Sequence, residues 1–157
     1  MKLASVDGAA VELVVKGYQF GSSSEPRDWD ANWLVVAGTV ELVGGECWSF
    51  EDPCLTTWEA RELSDWLRQV VAGNVQPSVW DSDEERLLVF TEPNLAFSLA
   101  ARSTDSVSIR VHLSLESGPP SNEHEMFDYF VVLDLPVAAL AEVLAEWETE
   151  LRAFPVR

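Results

Sequence analysis

The chain has 157 residues, 47% of them apolar and 24% charged, with 27 Asp and Glu against 10 Lys and Arg and a formal net charge of −17. A chain of this length buries about 70% of its unfolded surface, so one domain over residues 1–157 with its own core is expected, and the composition excludes a disordered chain. The charge argues against nucleic acid and anionic membrane as direct ligands, because phosphate binding rests on basic residues that displace counterions; such a surface attracts a basic protein.

Residues 1–7 lack the apolar core of about 7 to 15 residues that marks a signal peptide, and no apolar run reaches about 18 residues. A cytoplasmic location is therefore expected. Segments 11–20 and 32–43 are rich in Val, Leu and aromatics, and Gly44-Gly45 before Cys47, Trp48 and Phe50 reads as a two-residue hairpin. Thr56 and Glu59 form a capping box; Ala60, Leu63, Leu67 and Val70 recur at helical spacing; Gly73 stands where a helix stops. The predicted helix spans 56–72.

The second half repeats this plan. Leu95, Phe97, Leu99 and Ala101 alternate with smaller or polar residues, as do Val107, Ile109, Val111, Leu113 and Leu115, which predicts two half-buried strands. After a loop at 117–122 comes an apolar run at 126–135. Pro136 then opens a helix whose stripe is Val137, Leu140, Leu144, Trp147 and Leu151. Strands followed by a helix, twice, predict an α+β fold with antiparallel sheets and two helices, in similar halves at 1–75 and 85–157. An offset of 81 superposes Leu63 on Leu144 and Trp66 on Trp147.

Little chemistry is visible. Asp28, Asp30 and Asn32 match the first ligand positions of a calcium loop, but Trp33 replaces the required Gly and Thr39 the required Glu. Asp28 and Asn32 read instead as turn-setting residues before a strand. Glu51 and Asp52 are adjacent on a strand and point to opposite faces, so they do not converge as an acid and base; Asp52 reads as orienting the helix entry. Cys47 and Cys54 match no zinc spacing and read as buried free thiols, His112 lies on the polar side of a strand and His124 in a loop. No nucleophile elbow, phosphate loop or His-Glu-x-x-His is present, so neither an enzyme nor a metal or other cofactor is expected.

Two acidic features stand out as partner-binding candidates. Asp83, Glu84 and Glu85 lie in a charge run, and Glu142, Glu146 and Glu150 repeat every four residues along the last helix. Like charges at that spacing cost about 0.2–0.5 kcal/mol per pair, so the ladder is an anionic ridge that the fold does not require.

Five of the seven tryptophans fall within 28–67. This segment holds Asp28-Trp29-Asp30-Ala31-Asn32-Trp33, then Trp48, Asp52, Pro53, Thr56, Glu59, Leu63 and Trp66, and it resembles a group of small acidic bacterial proteins classed as WapI-like immunity proteins. The resemblance implies a scaffold role for these motif residues and a non-enzymatic, cytoplasmic binder of a toxin domain, such as a basic nuclease. The rival expectation is a small-molecule or regulatory module with a pocket lined by Trp29, Trp33, Trp48, Trp58 and Trp66; burial of those rings would weaken it.

Overall fold

A computed structural model describes residues 1–21, 28–79, 87–120 and 124–157. Strands β1 (Lys2–Ala4), β2 (Ala10–Tyr18), β3 (Trp33–Glu41) and β4 (Cys47–Thr56) pair antiparallel in chain order, and α1 (Thr57–Ala72) follows directly. Strands β5 (Leu88–Val89), β6 (Leu95–Arg102), β7 (Ser106–Leu113) and β8 (Phe130–Pro136) form a second antiparallel sheet in chain order, followed directly by α2 (Val137–Leu151). The fold is α+β. No described helix is long and apolar enough to cross a membrane.

Local chemistry places α1 where the sequence predicts it. The Glu59 amide donates to Thr56 Oγ1 at 3.2 Å and the Thr56 amide donates to Glu59 Oε2 at 2.7 Å, closing the capping box. Gly73 ends the helix at φ +81, a conformation that favours a residue without Cβ, and Asn74 N–H bonds Gln69 O at 2.9 Å. No basic residue stands in the last turn of α1; Arg102 of β6 supplies the charge from the other half, donating to Val70 O and Val71 O.

A single hydrophobic cluster runs through both sheets and both helices, from Met1 and Leu3 to Trp147 and Leu151. Helix α2 starts 80 residues after α1, at Val137 against Thr57, and the buried positions follow the same shift: Ala60, Leu63, Ser64 and Leu67 match Leu140, Val143, Leu144 and Trp147. The helix starts and buried positions thus align at a shift of 80, one residue away from the sequence-derived offset of 81. Trp147 therefore corresponds to Leu67, fully buried, and Trp66 to Glu146, on the helix flank. Trp66 is half-buried, its ring 6.1 Å from that of Phe97.

Other expectations change for identifiable reasons. The hairpin between β3 and β4 is wider than two residues, with Leu42 N–H bonded to Glu46 O and Gly45 to Leu42 O. Strand β7 stops at Leu113, short of Leu115, because the Ser114 amide donates to Ser117 Oγ at 3.0 Å and the Ser117 amide donates to Ser114 O at 3.1 Å, offering the backbone an alternative to the ladder. Residues 126–128 form a turn, with Phe127 at φ +67, so the last strand starts at Phe130. His112 is fully buried, not surface-facing: Nδ1 lies 2.7 Å from Phe127 O and Nε2 3.0 Å from Ser98 Oγ. Cys54 is buried as expected, whereas Cys47 is exposed.

Candidate functional site

The segment 28–33 folds as a short 3₁₀ turn that delivers Trp33 to β3. The Asp30 amide donates to Asp28 Oδ1 at 3.0 Å, and Asn32 Nδ2 donates to Asp28 O at 2.9 Å, so these polar side chains set the turn as the sequence predicts. Asn32 is completely buried. Its Oδ1 also accepts Thr57 Oγ1 at 2.8 Å and the Arg157 amide at 2.9 Å, pinning the helix entry and the tail to one side chain. Arg157 lies over the Tyr18 ring at 3.3 Å and donates to Phe20 O at 3.0 Å.

Strand β4 carries the second part of the motif. Val36 pairs with Asp52 and Leu34 with Leu55, so two residues of β4, Pro53 and Cys54, oppose Val35 alone. Proline brings no N–H to the ladder, and a bulge is where it is tolerated. Asp52 continues the inward row of Trp48 and Phe50 and ends at the edge of the core, not at the helix cap, which Thr56 supplies.

What Asp52 meets there comes from the other half. Asn94 Nδ2 donates to Asp52 Oδ2 at 3.3 Å and to Glu116 Oε2 at 3.1 Å, so one buried amide holds two carboxylates. Asn94 is itself fixed, its carbonyl accepting Ser114 N–H at 2.9 Å and Ser117 Oγ at 2.5 Å. Glu92 joins from the loop between β5 and β6. The result is an open cleft of about 470 Å³ between the halves, bordered by Asp30, Trp33, Asp52 and Pro53 on one side and Glu92, Leu115 and Glu116 on the other, with Phe20 at the rim.

The electrostatics follow from this convergence. Partial burial, then the charges of Glu116 and Glu92, hold the Asp52 carboxyl above the ordinary carboxylate range, against the Asn94 hydrogen bond, which acts in the opposite sense. Among the described residues, none of Asp30, Asp52, Glu92 and Glu116 takes part in an ion pair. Apolar surface sits beside this charge: Phe20 is 47% exposed, and Leu115, in the left-handed region at φ +52, is 60% exposed. Trp29, next to Asp30 in sequence, is 51% exposed and stacks on Trp58 with centroids 5.0 Å apart. No group of three or more metal-ligating side chains capable of holding an ion occurs among the described residues.

The remaining predicted site residues divide. Trp48 is buried and donates from Nε1 to Ser117 O at 2.9 Å, tying β4 to the second half. Glu59 is buried and accepts the Thr91 amide at 2.6 Å in addition to closing the capping box. Of the five tryptophans in 28–67, only Trp48 is buried. In the acidic ladder, Glu142 and Glu146 are exposed. Glu150 is engaged internally, accepting the Val15 amide at 2.6 Å and lying 3.3 Å from the Met1 amine. Asp83, Glu84 and Glu85 lie outside the described residues. Glu92, Asn94 and Glu116 escape sequence reasoning, and Leu115 reads there as a strand residue, because no motif links them; Leu115 and Glu116 stand in a short 3₁₀ turn, and what the four share is where the fold brings them.

No curated protein matches the chain. A family model described as Immunity protein WapI-like family matches residues 2–155, which omits only three residues of the 157. With the motif, the two-sheet fold and a match of that extent, the chain belongs to the WapI-like immunity protein family.

Proposed function

We propose that this protein neutralises a basic toxin domain by binding it, with the cleft between the halves as the point of recognition. The observation that carries this reading is the set of carboxylates from Asp30, Asp52, Glu92 and Glu116, free of ion pairs among the described residues and gathered beside exposed Phe20 and Leu115. Gathering like charges is unfavourable in the free protein, and a cation from a partner relieves that cost while aromatic and aliphatic neighbours bury its apolar stem. Exposed Trp and other large apolar groups next to charge are the usual material of binding hot spots. Membership of an immunity family supports a toxin as the partner class.

On this reading the protein is a binder and not an enzyme, acts in the cytoplasm, and uses its net charge of −17 to speed encounter with a basic partner. The small-molecule alternative keeps some support, since Trp33 and Phe20 line the cleft. It has further support in that four of the five tryptophans in 28–67 are not buried, and it is weakened because Trp33 alone of the five lines this cleft. The test is association kinetics between this chain and the product of the adjacent gene, or, if that gene encodes no toxin, a basic protein co-purified from the native host, for the wild type and for Asp52→Asn, Glu92→Gln and Glu116→Gln combined. Slower association and a flatter salt dependence are expected for the triple variant. Rates indifferent to both ionic strength and these substitutions would refute the cleft.

A further inference from the structure

A second surface is built for contact on the other side of the acidic ladder's helix. Ala4 of β1, Leu135 of β8, and Ala139 and Val143 of α2 floor an open groove of about 300 Å³ whose rim carries Glu142, Glu146 and Lys2, the lysine being paired with Glu41 at 3.6 Å. Alanines at 4 and 139 leave the space that larger side chains would fill. The acids of α2 are not equivalent. Glu148 pairs with Arg68 of α1, and Glu150 is engaged by Val15 N–H and the Met1 amine. Glu142 and Glu146 have no ion pair among the described residues, and nothing in the packing of α2 calls for two like charges four residues apart. Because Lys2 is paired with Glu41, the two carboxylates on α2 are the unpaired charges of the rim, and with the apolar floor they are complementary to a segment that offers an apolar side chain flanked by cations.

We infer that this groove docks one basic, amphipathic segment of the protein partner, as a contact separate from the cleft between the halves. The inference rests on the proposed reading that the partner is a basic protein. Its test does not need that partner. The probe is a short capped peptide alternating lysine and leucine, with a lysine and serine counterpart as control, titrated into isotopically labelled protein at physiological salt and followed by amide chemical shifts.

The expected result is a shift map centred on Ala4, Ala139, Glu142, Val143 and Glu146. Affinity for the serine peptide should fall by about tenfold or more, corresponding to about 1.4 kcal/mol. Ala139→Trp, which fills the groove, should remove the response. Glu142→Gln with Glu146→Gln should weaken it, and serves as the conservative check if Ala139→Trp disturbs folding. Shifts confined to the cleft of Asp52 and Glu116, or scattered over the acidic surface, would overturn the groove, as would equal binding of both peptides or indifference to both sets of variants. A groove that passes while no toxin complex forms would leave this surface intact and discard the toxin; a toxin complex whose kinetics ignore the groove variants would do the reverse.

Discussion

Gly38 is the position where adding a single methyl group should cost most for its size. It faces inward on β3 opposite Phe50 of β4, and the Phe50 ring lies across it. A Cβ built on Gly38 would stand 2.9 Å from Phe50 Cδ1 and closer still to Cε1 and Cζ, where ordinary contacts begin near 3.4 Å. The ring cannot swing away freely, because Phe50 is buried in the core cluster. Overpacking of this kind costs about 1–3 kcal/mol, and in a chain of this length each kcal/mol lowers Tm by about 2–4 °C. Gly38→Ala should therefore melt about 2–12 °C below the wild type. Phe50→Ala alone should cost about 3–5 kcal/mol through the cavity it leaves. In the Phe50→Ala background the added methyl meets no ring. Gly38→Ala should there be neutral or stabilise by about 0.4–1 kcal/mol by restricting the unfolded chain. The cycle, measured by urea denaturation, should give a coupling of about 1–4 kcal/mol. If Gly38→Ala is as harmless in the wild type as in the Phe50→Ala background, the inward stacking of Phe50 on β3 is wrong.

Two predictions concern pH. His112 is buried with both ring nitrogens engaged, and desolvation holds its pKa below the usual 6.5. The unfolded chain thus binds a proton that the folded one does not, so stability is full above about pH 6.5 and falls as pH drops toward the folded value, by up to about 1.4 kcal/mol per pH unit. His112→Gln should flatten the denaturation midpoint between about pH 6.5 and 5, and an unchanged slope in that window would contradict the assignment. Asp52 has the opposite sign: its folded pKa is raised, so its ionised form opposes folding at neutral pH and that penalty is lifted as pH falls through the folded value toward 3.8. Asp52→Asn should melt no lower than the wild type at pH 7, with its advantage shrinking in acid; destabilisation at pH 7 would mean that crowding by Glu116 and Glu92 is not what governs this carboxyl.

Sequence by itself determined whatever rests on neighbours along the chain. Thr56, Glu59 and Gly73 mark the ends of α1 through hydrogen bonds spanning a few residues, and alternating apolar residues mark the strands because side chains on an extended backbone point to opposite faces. The family was legible too, through Asp28 to Trp33, Trp48, Asp52, Pro53 and Glu59. Tertiary structure alone decided which acids are surface and which are internal. Glu150 differs from Glu142 and Glu146 because Val15 N–H and the Met1 amine lie within its reach, 135 and 149 residues away in sequence. Tertiary structure likewise brought Asp52 together with Glu92, Asn94 and Glu116, and it set the one-residue difference that buries Trp147 and leaves Trp66 on the flank. The physical reason is the same each time: a carboxylate's role depends on the donors and charges around it, and those are gathered by packing between halves that carries no periodic trace in the chain.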